Sequence, residues 1–88
     1  MLGGKKEMTK QEMKKEAYKR INAVIFGMNI AETIENLEYR GQKAFILLRF
    51  SLKCGLITED DYQELNEKKT IFYLENEYRI EKEKYKIA

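Results

Sequence analysis

Three carboxylates, Asp60, Asp61 and Glu64, form the one group in this chain whose types and spacing could do chemistry. On a helix Asp60 and Glu64 share a face and could hold a hard cation such as Mg²⁺. The same acids have a second explanation. They follow Thr58, and acids in the first turn of a helix complement its dipole. Around them the usual chemistry is missing. Histidine is absent and there is a single cysteine, Cys54. That removes the commonest general base, the usual triad and the commonest transition-metal ligand. One thiol makes neither an internal disulfide nor an ordinary zinc site. No phosphate-binding glycine loop and no dinucleotide fingerprint occurs. The sequence therefore predicts a protein that is not an enzyme and carries no cofactor or metal.

The acids sit at the start of one of the elements that must hold them, so the local signals there come next. Ala44 to Leu48 is apolar without a break, and Phe50, Leu52 and Cys54 extend it. A helix apolar on most of its circumference is expected to be covered on most of it. Cys54 is expected to be a small core residue rather than a reactive thiol. Lys53 in the last turn and Gly55 just after it predict a helix end with Gly55 left-handed. Thr58 then caps a new helix, with Asp61 closing a weak capping box and Ile57 and Tyr62 forming a hydrophobic staple. The Gly55-Leu56-Ile57-Thr58-acid-acid corner is similar to those of small bacterial helical hairpins, including the short C-terminal (SHOCT-type) modules. The resemblance covers the corner alone and implies a hairpin, with no activity attached.

Stepping outward, the 88 residues contain no proline and few glycines, and 36% are charged. This composition favours helix over sheet. Thr9 to Glu12 reads as a capping box for a first helix over about residues 10–26, with an apolar stripe of Met13, Ala17, Ile21, Val24 and Met28 widened by Tyr18 and Ile25. Asn29 to Glu32 predicts a cap for a second helix over about 30–54. Its seam is Ile30, Ile34, Leu37, Gly41, Ala44 and Leu48, continuous through Gly41. The third helix is expected over about 59–82, with i,i+4 pairs Glu64–Lys68 and Glu75–Arg79. The β propensity of Thr70 to Leu74 raises a strand or kink there, and the tail after about residue 80 is expected to fray. The fold class is all-α: an antiparallel hairpin of the second and third helices with the N-terminal helix packed across it, bundle-like and dimeric. Residues 1–8 are expected to be a disordered extension and 9–88 a single helical domain. Gly3-Gly4 codons can resemble a ribosome-binding site, which predicts Met8 as the natural start.

The third helix carries two apolar stripes. Tyr62, Leu65, Phe72, Tyr73, Ile80 and Ile87 lie on one side, and Ile71, Leu74, Tyr78 and Tyr85 on the other. One stripe can meet the rest of the chain, so the second is predicted to stay exposed and to bind a protein partner, a second copy first of all. Charge supports a second possibility. Residues 1–20 are net +4, residues 21–54 are +1 and residues 55–88 are −3. A nucleic-acid-associated regulator would use Lys10, Lys14, Lys15, Lys19 and Arg20. The corner itself is a poor reading head, because Glu59, Asp60 and Asp61 would repel phosphates. Small size and high charge also permit an inhibitor of a host or defence protein, of the kind that phages and plasmids carry. No apolar run approaches the roughly 18 residues of a membrane span, and no secretory segment is visible. A cytoplasmic location is expected.

Overall fold

The computed structural model describes residues 7–86. Three helices, α1 (Lys10–Phe26), α2 (Ile34–Lys53) and α3 (Glu59–Tyr85), follow in that order, with a 3-10 turn at Gly27–Ile30 after α1. No strand occurs among the described residues. Residues 1–6 of the expected extension over 1–8, and Ile87 of the first α3 stripe, lie outside them.

Each helix starts where its cap chemistry places it. The Thr9 hydroxyl accepts from the Glu12 amide at 3.1 Å, and the Glu12 carboxylate accepts from the Thr9 amide at 2.8 Å. Thr58 and Asp61 repeat the exchange at 3.0 and 3.1 Å, so the expected weak capping box is complete. Two orphan amides are satisfied at each site. Between α2 and α3 the chain turns on Gly55, whose φ is +72°. The Leu56 amide donates to the Ser51 carbonyl at 2.8 Å and the Gly55 amide to Leu52 at 3.0 Å. These two bonds define a Schellman closure, which needs a left-handed residue at that point.

α1 and α3 run in the same direction and in register. Tyr18 bonds Glu64 at 2.7 Å, Lys68 bonds Asn22 at 2.6 Å, and the Phe26 and Phe72 rings meet edge to face at 5.2 Å. Asn76 bonds Asn29 at 2.9 Å. A near-constant sequence offset along this ladder is what parallel helices give. α2 is antiparallel to both, so the bundle is up-down-up. Parallel helices place like dipole ends together. Here the basic first half of α1 lies beside the acidic first half of α3, which offsets that repulsion within one chain.

The core is a strip of Ile21, Ile25, Met28, Ala31, Leu37, Ala44, Leu48, Ile57, Leu65 and Ile80, all buried. α2 is continuous through Gly41, as the heptad spacing predicts. A Cβ at Gly41 would lie 3.2 Å from the Tyr73 ring, so the glycine lets α2 and α3 approach closely. Met13, expected in the α1 stripe, is exposed. It lies level with the corner at the open end of the bundle, where it faces Met8, Phe50 and Leu56 across a shallow apolar groove.

Tertiary contacts overturn several local expectations. α2 begins at Ile34 rather than Ile30, and its cap is Thr33, whose hydroxyl accepts from the Asn36 amide at 3.0 Å. Asn29 does not cap, because its side-chain oxygen is taken by Asn76. Ile30 is not in the seam and is 67% exposed. The pairs Glu64–Lys68 and Glu75–Arg79 do not form. Tyr18 takes Glu64, Asn22 takes Lys68, and Arg79 reaches across to the carbonyls of Ala31 (2.7 Å) and Asn29 (3.2 Å). α3 runs without a strand or kink through Thr70–Leu74 and on to Tyr85, beyond the expected end near 82. Cys54 is exposed, not a core residue, because it is the C-cap on the outside of the corner.

Candidate interaction surface

The Ala44–Leu48 run is not covered on most of its circumference. Ala44 and Leu48 are buried, while Phe45 and Ile46 are exposed. At 100° per residue these two point away from α1, towards the open side of the α2–α3 hairpin. There they line a groove of about 760 Å³ with Glu38, Gln42, Lys69 and Tyr73, and with Leu74 on its rim.

Next to the groove, on the back of α3, lies the second apolar stripe. Ile71 is 54% exposed, Leu74 56%, Tyr78 69% and Tyr85 75%. Residues at intervals of three, four and seven stay on one side of a helix. Leu65, Phe72, Tyr73, Asn76 and Ile80, packed towards the rest of the bundle, occupy the other side, and Glu64 and Lys68 bond α1 along the boundary between the two. Leu74 belongs to both the stripe and the groove, so the two surfaces are continuous. Exposed apolar area of this kind is the usual mark of an interaction site.

The electrostatics of the groove are organised around two aromatic rings. At the end nearer the corner, the Lys69 ammonium lies 5.1 Å and the Arg49 guanidinium 5.6 Å from the Phe45 ring centroid. Both are within cation–π range. Burial pushes the Lys69 amine below its usual value. Tyr73 lies mid-groove against Gly41, and its phenol is raised, first by burial and then by the negative charges of Glu38 and Glu77 on the side away from the corner. The only ion pair among the described residues is Glu16–Arg20 on α1, at 3.3 Å. Lys69, Arg49, Glu38 and Glu77 therefore have no ionic partner among the described residues.

The other candidate residues are not brought together in the same way. Lys10, Lys14, Lys15, Lys19 and Arg20 are all exposed on α1. Their 100° steps send Lys10 and Lys14 to one side, Lys15 and Lys19 to a second and Arg20 to a third, where it pairs with Glu16. They do not make one basic face. In the carboxylate cluster Asp61 is occupied by the Thr58 cap, and Glu64 accepts the Tyr18 hydroxyl. That bond, with burial and the charges of Glu64 and Asp61, raises the Tyr18 phenol. Among the described residues no group of three or more His, Cys, Asp or Glu is placed to hold a metal ion. None of the described helices is long and apolar enough to cross a membrane.

Comparison adds no relative. No family model, no curated protein and no solved structure matches the chain.

The stripe on α3 was legible from its spacing. The groove residues Phe45, Lys69 and Tyr73 were not singled out as a site, although a signal existed. Ala44–Leu48 holds more apolar residues than one heptad seam can bury. The surplus belongs to an outward surface.

Proposed function

We propose that this protein is a non-enzymatic protein–protein interaction module that acts as a homodimer and serves as a small regulator or adaptor. One observation carries the reading. Ile71, Leu74, Tyr78 and Tyr85 are each more than half exposed along one line of α3, although α1 and α2 already fill the opposite side. About half of each aliphatic side chain stays in water, so a partner surface would recover roughly 0.8–1.5 kcal/mol for each. The flanking charges keep such a stripe selective rather than merely adhesive. The lone exposed thiol of Cys54 suits a reducing compartment, so the module is assigned to the cytoplasm.

The test is light scattering and sedimentation of the wild type beside Leu74→Asp/Tyr78→Asp, with the same pair used as bait and control in affinity capture. The reading expects a wild-type dimer at micromolar concentration, and a helical, folded double variant that loses its partners. A wild type that is monomeric at several hundred micromolar, together with captures identical for both baits, would refute it.

A further inference from the structure

We infer that the open α2–α3 groove is the surface on which a second copy of this chain sits, in one defined orientation. The inference rests on the homodimeric reading above and specifies which face makes the dimer and how the copies are turned.

The argument is the layout of unpaired charge. Along the groove the cations are at one end, Arg49 on α2 and Lys69 on α3, both at the Phe45 ring. The anions are at the other end: Glu38 of α2 lines the groove, and Glu77 lies one helical turn beyond Tyr73 on the same side of α3. Each helix thus carries one acid and one base on this face. The midpoint between Glu38 and Arg49 falls in the turn from Gln42 to Phe45, and that between Lys69 and Glu77 at Tyr73. These midpoints lie at about the same height, because Gly41 packs directly on Tyr73. The exposed apolar residues Phe45, Ile46 and Leu74 are in that central band.

Two copies can stack this face on itself about a two-fold axis in either of two simple ways. An axis parallel to the helices keeps each end at its own height, so acids meet acids and bases meet bases. An axis across the helices, at the height of Tyr73, reverses one copy. It lays α2 antiparallel on α2 and α3 antiparallel on α3. Glu77 then faces Lys69 of the second copy, and Glu38 faces Arg49 of the second copy, each pair twice. An isologous interface must be complementary to itself in this way. Either axis covers Phe45, Ile46 and Leu74, but only the crosswise axis sets each of these four charges against its opposite. Opposed charge across an interface sets orientation and excludes the wrong one.

Charge exchange tests the inference. Glu77→Lys places lysine against Lys69 twice in the homodimer, and Lys69→Glu places glutamate against Glu77 twice. Each variant alone is expected to raise the dimer dissociation constant by roughly tenfold or more. In an equimolar mixture of the two, the heterodimer holds one Lys–Lys chain and one Glu–Glu chain, and both pairs are again opposite. Native mass spectrometry of differently tagged chains should therefore show predominantly heterodimer, with affinity back within about threefold of wild type. Circular dichroism of each single variant checks that α-helix content is retained, and the rescue in the mixture does not depend on either variant being dimeric. A wild-type dimer that both variants reproduce unchanged, or a mixture no better than the singles, overturns this interface and leaves the homodimeric reading to another surface. A monomeric wild type removes the homodimeric reading itself.

Discussion

Two asparagines on α3 should respond in opposite ways to the same substitution. Asn76 is buried, with 4% of its surface exposed. Its amide donates to the Asn29 side chain at 2.9 Å and to the Phe72 carbonyl at 2.8 Å, and its oxygen accepts from Arg79 at 2.8 and 3.0 Å. Arg79 in turn holds the carbonyls of Asn29 and Ala31, so this cluster fastens the α1–α2 connection to α3. Asn76→Ala removes the two-pronged charge-assisted contact with Arg79, about 1.5–3 kcal/mol, and two neutral bonds of about 0.5 kcal/mol each. The better helix propensity of alanine returns roughly 0.7 kcal/mol. The net loss is about 2–3 kcal/mol, which for a domain of this size lowers the melting temperature by roughly 10–20 °C. Asn66, three turns earlier, has a buried side-chain oxygen with no hydrogen-bond partner. Asn66→Ala removes an unsatisfied acceptor and gains the same propensity, so stability should rise by about 0.5–1.5 kcal/mol. Thermal and urea unfolding followed by circular dichroism at the helix band measures both. If Asn76→Ala melts within about 3 °C of the wild type, or Asn66→Ala falls alongside it, the assignment of the clamp is wrong.

Further outcomes follow from other parts of the fold. Gly55→Ala forces a Cβ into the left-handed region at φ +72° and should destabilise by about 1–2 kcal/mol, whereas Gly55→Asn should cost less; urea midpoints of the two variants distinguish strain from a general loss of glycine. Gly41→Leu drives a side chain into the Tyr73 ring and should lower stability by about 1–3 kcal/mol despite improving helix propensity, read from the same unfolding curves. Native Cys54 should react with a thiol reagent as fast as the unfolded chain does, and protection from the reagent would contradict its place on the corner. Tyr18 and Tyr73 both have raised phenol values in the fold, which means the folded state resists their ionisation. Their contribution is whole below the ordinary tyrosine value near 10 and is lost as the pH climbs through the raised values. Lys69, lowered by burial, acts in the opposite sense as it sheds its proton first in the folded state. The alkaline fall in urea stability should accordingly be shallower in Tyr18→Phe/Tyr73→Phe than in the wild type.

The sequence by itself determined what depends on neighbours along the chain. The helix starts at Thr9 and Thr58, the left-handed glycine at 55, the unbroken helix through Gly41 and the outward stripe of α3 are all set by residues within a turn or two of one another. Hydrogen bonds of caps and the 100° step of the helix act over that distance, so spacing alone reveals them. What the tertiary structure decided lay where a side chain had a choice of partners. Asn29 had the composition of a cap but bonds Asn76, so the second helix starts at Thr33 instead. Glu64, Lys68 and Arg79 had partners on their own helix and took others from α1 and from the connection; for Lys68 and Arg79 a part-buried bond to a distant residue outweighs a solvent-screened pair. Phe45 and Ile46 read as core because the run around them is apolar. Only the placement of α1 on one side of the hairpin leaves them, with two bases and two acids, on the other.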